Sequence, residues 1–220
     1  MIRRKTARNA STASAAIERE GRPPVEAIRT AAFRQFAERG YPVVTVRDIM
    51  KACGLTQGAL YNHFRSKDEL LHDIIASTQA ELERVCRQAV AEAGEDPQAK
   101  LAAFVRAYVV RHCRLRVEAL VANRELGWLD PSRVADIRRS RRAIRDVLVG
   151  ILAQGVERGV FAPPKVDGRE DLKAVAMALL DQCTHVSMWY GPGGRLAEEQ
   201  MAALYAEMAL RSVGAKRPAA

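Results

Sequence analysis

The sequence predicts an all-α fold of nine helices, and three observations carry that expectation. From Pro24 onward apolar residues recur at helical spacing almost throughout. The one strand-like run, Tyr41 to Val46, is short and leads straight into a helix-start signal. The periodic stretches are divided at Gly40, Gly54, Gly94, Asp96-Pro97, Gly127-Trp128, Pro163-Pro164 and Gly191-Pro-Gly-Gly194, where Gly and Pro break helical geometry. No internal repeat is present.

Taken in order, the first helix is marked by Ile28, Ala31, Ala32, Phe36 and Ala37 and stops at Gly40. Thr45-Val-Arg-Asp48 places a Thr cap three residues before an acid and so opens a second helix over 46–53. Gly54 closes it, because a sharp turn there requires the left-handed backbone that glycine tolerates. A third, brief helix is expected over 56–64. Ser66-Lys-Asp-Glu69 reads as a capping box, and apolar residues at 70, 71, 74, 75, 82 and 85 mark a long fourth helix ending before Gly94. Five more are expected near 97–115, 117–127, 131–158, 170–190 and 196–212.

Composition narrows the function classes. Across 220 residues, 48% are hydrophobic and 28% charged, close to globular averages, which excludes wholesale disorder. No apolar run approaches the ~20 residues that cross a bilayer, so no membrane partner is expected. Four cysteines, Cys53, Cys86, Cys113 and Cys183, lie far apart with no CxxC pair, and neither a zinc site nor a disulfide framework is readable. A reducing cytoplasm fits, and no metal or cofactor is expected. The net charge of +9 favours polyanionic partners. Residues 1–70 carry 13 basic and 7 acidic side chains, net +6, so two-thirds of the excess lies in the first third of the chain. Residues 1–22 read as a flexible basic arm whose Arg3, Arg4, Lys5 and Arg8 suit phosphate or a minor groove. Glu18 and Glu20 and the lack of an apolar stretch argue against a transit peptide.

Two short helices joined by a glycine turn and packed on a third, in the most basic part of the chain, follow helix-turn-helix logic. Ile49, Ala52, Leu55, Leu60 and Phe64 are the expected packing positions. Thr56, Gln57, Gly58, Ala59, Tyr61, Asn62 and His63 are left outward, a set of small or hydrogen-bonding groups unlike an ordinary Lys/Glu face. Gln57 can present a donor and an acceptor together to an adenine edge, Gly58 and Ala59 keep the backbone close to the groove floor, and Thr56 suits a base or a phosphate. Tyr61, His63, Lys67 and Thr45 suit phosphate oxygens, with Arg47 beside them. The runs Thr45-Val-Arg-Asp-Ile49, Gly54-Leu-Thr-Gln-Gly58, Leu60-Tyr-Asn-His-Phe64 and Lys67-Asp-Glu-Leu70 resemble the TetR family of bacterial transcriptional regulators. The resemblance covers 24–70 and the helix count agrees beyond it. It implies a homodimer with a three-helix DNA-binding head over 23–68, a ligand-binding and dimerisation body over 69–214 followed by a tail at 215–220, and repression relieved by a small molecule.

In the body, Val134, Ile137, Arg141, Ile144, Leu148 and Ile151 form one seam on the 131–158 helix, broken by Arg141. A cation projecting from an apolar stripe either pairs with a buried acid or meets a ligand anion, and the sequence leaves both open. Leu101, Phe104, Tyr108, His112 and Leu115 share a face of the preceding helix. The candidate effector site is therefore Phe104, Tyr108, His112, Arg141 and Leu148. Trp189-Tyr-Gly-Pro-Gly-Gly194 is similar to a WYxPGG signature in a branch of the family concerned with fatty-acid and sterol catabolism, which implies an acyl-CoA thioester as effector. Arg106, Arg111, Arg114, Arg138, Arg139, Arg142 and Arg145 would then be available to nucleotide phosphates, unless they form a solvated face or salt bridges. Trp128 and Trp189 read equally as core, interface or pocket walls.

Two further stripes point to the dimer: Leu172, Val175, Leu179, Cys183, Val186 and Tyr190, then Met201, Leu204, Tyr205 and Met208. Paired across a two-fold axis they would set the two heads one DNA turn, ~34 Å, apart on a palindromic operator. Two other readings remain: a regulator that activates or needs no ligand, and a helical-bundle metal enzyme using Asp181 and His185. The enzyme lacks paired ExxH motifs, only Glu69-Leu-Leu-His72 being present, and has no nucleophile elbow or phosphate loop.

Overall fold

The computed structural model describes residues 24–191 and 193–215, so the basic arm at 1–22, Pro192 and the tail after Ala215 lie outside the described residues. Eight α-helices are found among them: α1 (Pro24–Arg39), α2 (Val46–Ala52), α3 (Lys67–Glu92), α4 (Pro97–Arg114), α5 (Arg116–Arg124), α6 (Pro131–Glu157), α7 (Leu172–Trp189) and α8 (Glu198–Ser212). The ninth expected helix is a 3-10 segment, Gln57–Asn62. Three features of this stretch work against a full α-helix: Gly58 has the weakest propensity of any ordinary residue, Asn62 and His63 are poor formers, and the Thr56 side chain makes no cap bond. Two small elements were not expected, a 3-10 turn at Leu126–Trp128 and a hairpin of β1 (Lys165–Val166) and β2 (Arg169–Glu170). Its antiparallel register pairs Lys165 with Glu170 and Val166 with Arg169.

The chain divides into two compact units, one running to Ser77 and taking in Leu120–Ala135, the other comprising Thr78–Ala119 and the residues from Asp136 on. The first extends beyond the 23–68 span drawn from the motif. Its core gathers Ile28, Ala32, Phe36, Val44, Ile49, Met50, Leu60, Phe64, Leu70, Leu71 and Ile74, all buried. Ala52, expected among the packing residues, is exposed because α2 ends there and the chain turns away, and Leu55 is only half-buried. Arg29 clasps Asp73 with two bonds, Nε at 2.6 Å and Nη2 at 2.9 Å, tying α1 to α3. Cys53 donates its thiol to the Ala27 carbonyl at 3.5 Å, and burial pushes that thiol up to about 11.

In the second unit α4 lies against both α7 and α8. Asp96 caps α4 by accepting from the Gln98 and Ala99 amides, with Pro97 at the first helical position where a missing N–H costs nothing. Leu101, Phe104, Val105, Val109, Leu148, Leu152, Ala176, Val186 and Ala202 form the centre of one apolar cluster. Arg114 ties α4 to the start of α8 through Glu198 and Glu199, both at 2.5 Å. Lys100 is buried, with Glu95 at 3.1 Å and Gln154 at 3.4 Å as its partners.

Candidate nucleic-acid interface

The reading segment is built from its ends. Thr45 caps α2: its hydroxyl oxygen accepts from the Asp48 amide at 3.2 Å, and the Asp48 carboxylate accepts from the Thr45 amide at 3.0 Å and hydroxyl at 2.8 Å. These bonds from Thr45, followed by nearby Arg39 and Lys51, hold the Asp48 carboxyl below its ordinary range. The Thr45 hydroxyl proton is thus directed at Asp48, so toward a phosphate the residue offers an acceptor where a donor is needed; Arg47 is the exposed cation beside it. At the other end of α2, Leu55 N–H donates to Met50 and Gly54 N–H to Lys51, a Schellman closure with Gly54 at φ +69.

From that closure the chain enters Gln57–Asn62 with Leu60 buried beneath it and Phe64 just beyond. Thr56, Gln57, Gly58, Tyr61, Asn62 and His63 are exposed and Ala59 half-buried; Tyr61 presents 56% of its surface. A Cβ at Gly58 would meet nothing within 4 Å, so the space above this turn is open to a partner. Uncharged groups that donate, accept or stack are thereby gathered on one exposed patch of a rigid segment, flanked by Arg47, Lys51 and Arg65. Such a surface has the chemistry that direct base reading with phosphate anchoring requires.

Lys67 is placed differently from the expectation. Its ammonium donates to the Tyr41 carbonyl at 2.9 Å and the Val44 carbonyl at 2.8 Å and sits 4.1 Å from the Tyr41 ring centre. Burial holds it below the usual lysine range. Two inward carbonyls and a ring take up the charge that a phosphate contact would use, so Lys67 organises the loop before α2. The Ser66 signal also closes in a shifted form: the Glu69 amide donates to Ser66 Oγ at 3.0 Å, but the Glu69 carboxylate accepts from the Arg65 amide at 2.8 Å.

In the second unit the five candidate effector residues fall together. Phe104, Tyr108, His112 and Leu148 are buried and Arg141 is half-buried. Tyr108 stacks on His112, ring centres 4.4 Å apart and planes 8° apart, and shares a hydrogen bond of 2.9 Å with Thr184 Oγ1. His112 Nδ1 lies 2.9 Å from the Tyr108 carbonyl. Burial, with Arg111 and Arg141 adding to it, lowers the imidazole to about 4, so it is neutral at pH 7. Arg141 is itself held below its ordinary value by burial, with Tyr108 opposing. A neutral donor–acceptor ring, a phenol and a cation within an apolar cluster can bind a polar group on an otherwise hydrophobic molecule. Of the other arginines, Arg114, Arg139 and Arg145 are engaged by Glu198 and Glu199, Asp136, and Asp146 respectively, whereas Arg106, Arg138 and Arg142 are exposed. His185 bonds the Asp181 backbone carbonyl at 2.8 Å, and no metal-binding cluster of three ligands occurs among the described residues.

The expected dimer stripe on α7 faces the other way. Leu179, Cys183, Val186 and Tyr190 are buried in their own protomer's core, as is Met201 on α8, because α4 packs on that side. The exposed apolar residues are instead Met177, Met188 and Trp189 on α7, with Leu204 and Met208 on α8 and Tyr205 half-buried between them. Trp189, Leu204 and Arg195 also line an open cup of about 400 Å³ beside the glycine turn. The sequence signal for this face was present in Met177 and Met188, which lie eleven residues, about three helical turns, apart and so share a face distinct from the stripe.

These features define a helix-turn-helix DNA-binding regulator. Residues 28–74 match the model of bacterial regulatory proteins of the tetR family, and residues 94–213 match the tetracyclin repressor-like C-terminal domain. The HTH-type transcriptional repressor KstR2 of Rhodococcus jostii (strain RHA1) is 31% identical over 186 residues, which is 80% of this chain and 83% of that protein. The solved ketosteroid transcriptional regulator KstR2 of Mycobacterium tuberculosis is 26% identical, with a TM-score of 0.77 over 89% of this chain and 96% of that one. AibR, solved in complex with isovaleryl coenzyme A and operator DNA, shares the fold at a TM-score of 0.75 and 24% identity, over 88% of this chain and 100% of its own. The chain belongs to the TetR family, and it is a transcription regulator, not an enzyme. No helix among the described residues is long and apolar enough to cross a membrane.

Proposed function

We propose that this protein is a cytoplasmic repressor that binds a palindromic operator as a homodimer and leaves it on binding an acyl-CoA thioester. The observation that carries the reading is the exposed, uncharged, hydrogen-bonding patch at Thr56–His63, mounted on a segment whose backbone is fixed from both ends. In this reading Gln57, Gly58, Ala59 and Asn62 approach base edges, Tyr61, His63 and Arg47 approach phosphates, and the unit containing α1 and α2 is the DNA-reading head. The exposed face of α7 and α8 forms the dimer. Phe104, Tyr108, His112, Arg141 and Leu148 receive the effector, Arg141 and neutral His112 meeting polar atoms while Phe104 and Leu148 face the acyl part. Support for the effector class comes from the Trp189-Tyr190-Gly191 turn signature, from KstR2, named for ketosteroid regulation, and from the isovaleryl coenzyme A held by AibR.

Operator release needs only a modest coupling, since a differential affinity of a few kcal/mol empties a site held at nanomolar strength. The test is fluorescence anisotropy on the palindrome upstream of the chain's own gene, titrated with acetyl-, isovaleryl-, octanoyl- and palmitoyl-CoA and with free coenzyme A. Loss of DNA binding with one acyl thioester and not with free coenzyme A is the expected result. Retention of the operator at saturating concentrations of every thioester would eliminate this effector class.

A further inference from the structure

Two consecutive residues at the start of α3 are engaged in different directions. Lys67 holds the 41–44 loop through the Tyr41 and Val44 carbonyls, directly before the Thr45 cap of α2. Asp68 accepts from Arg133 Nε at 2.9 Å, and the two side chains are 30% and 28% exposed. Tyr41 lies among all of them. Its ring is 4.1 Å from the Lys67 ammonium and meets Phe36 edge to face at 5.3 Å, and its phenol, raised mainly by burial, feels Asp68 and Arg133 with opposite sign.

Arg133 sits in the first turn of α6, where the partial positive charge of the helix end disfavours a cation. What offsets this is the acidic pair around it: Asp68 on α3 and Asp130, whose carboxyl caps Ser132 at 2.9 Å and is lowered by those bonds and by Arg133. Asp68 in turn stands in the first turn of α3, where an anion is favoured. The pair therefore joins two helix starts of like polarity that would repel without it. Later turns of the same α6 carry Arg141, Ile144 and Leu148.

We infer that Arg133 is a positioning residue for the DNA-reading head: by fixing Asp68 it fixes the start of α3, and through Lys67 the loop that sets Thr45 and α2. Any displacement of the start of α6 is then passed to the reading segment through one ion pair and two carbonyl bonds. The inference rests on the DNA-reading role proposed above, and two separate measurements keep their failures apart.

In the full-length protein, amide hydrogen exchange is compared for wild type, Arg133→Gln, Asp68→Asn and the charge swap Asp68→Arg/Arg133→Asp, alongside operator anisotropy at several salt concentrations. For each single variant, exchange over 41–49 and 57–64 is expected to rise about fivefold, as for a part-buried ion pair that limits local opening, with 97–114 unchanged. Operator affinity is expected to fall by a similar factor with the same slope against log salt, since Arg133 touches no phosphate. The swap should restore part of both, since it re-forms the pair but also sets a cation at the start of α3 and an acid beside Asp130. Wild-type exchange in the head of Arg133→Gln overturns the inference, as does faster exchange spread equally over head and body, or a salt slope lowered by about one charge. Should wild type itself fail to bind the palindrome, the DNA reading falls, while the exchange pattern still decides whether Arg133 holds the head.

Discussion

Gln57 meets solvent on a segment held by backbone: the Ala59 amide donates to the Thr56 carbonyl at 3.0 Å, and the His63 and Phe64 amides both donate to Leu60 at 2.9 Å. Its side chain supports none of these bonds, so Gln57→Ala is expected to leave the melting temperature unchanged while lowering operator affinity by roughly fivefold to a hundredfold, the worth of one two-point base contact. Anisotropy on the palindrome and on a scrambled duplex checks this, and the loss must be confined to the palindrome. His112 supplies a pH signature. Its value falls from 6.5 in the unfolded chain to about 4 in the fold. Between those values the unfolded chain binds a proton that the folded chain refuses, so stability is full above pH 6.5, declines as pH drops, and levels off near 4. A loss on the order of 3 kcal/mol over the whole window is expected, read as the difference in urea midpoint between wild type and His112→Gln across pH 7 to 5. At this scale the sequence was legible where chemistry is local, as with the Thr45–Asp48 box and the Gly54 turn. It was not legible for Lys67, whose partners at Tyr41 and Val44 are backbone carbonyls 26 and 23 residues away and leave no trace in composition.

Among the elements, helix periods were read correctly because apolar spacing and Gly/Pro breaks are intrinsic to the chain, whereas the ends depend on what folds back over them. The α6 terminus is an example. Its end was expected near 158, ahead of the Pro163-Pro164 break, and falls at Glu157, but the residue that stops it is Gly159, at φ +66, with Val160 N–H donating to Gly155 at 2.9 Å. The reversal carries the Phe161 ring onto Gly155, so close that a Cβ there would lie 1.9 Å from the ring. Gly155→Ala is thus expected to destabilise by about 3 kcal/mol, lowering the thermal midpoint by roughly 6–12 °C, because neither helix backbone nor buried ring can give way cheaply. Phe161→Leu in the same chain should recover part of that loss by scanning calorimetry, which an effect of helix propensity would not allow. The Asp167-Gly168 turn of the β1–β2 hairpin carries a readable signal, both residues having positive φ, yet two-residue strands are too short for any alternation to announce them.

For the whole molecule, α7 shows where a single sequence reaches its limit. Periodicity finds stripes on a helix, but when Leu179, Cys183 and Val186 form one and Met177, Met188 and Trp189 another, only the packing of α4 decides which turns inward. The outward stripe is then the one that needs a partner: Met177, Met188 and Trp189 are each more than half exposed, and Leu204 and Met208 remain above two-fifths. Five large apolar side chains facing water on two helices form a patch that monomers avoid and two-fold interfaces use. Leu204→Glu with Met208→Glu puts like charges opposite one another across such an axis and touches no buried side chain. Light scattering is expected to show a monomer with wild-type helicity. Operator binding should weaken by a hundredfold or more, since covalent-like linkage of two heads converts the second half-site contact into an intramolecular step. The decisive comparison is a duplex carrying a single half-site, on which wild type and the double variant should bind equally weakly and with the same salt slope. A variant that stays dimeric, or a monomer that holds the full palindrome as tightly as wild type, would move the interface off this face.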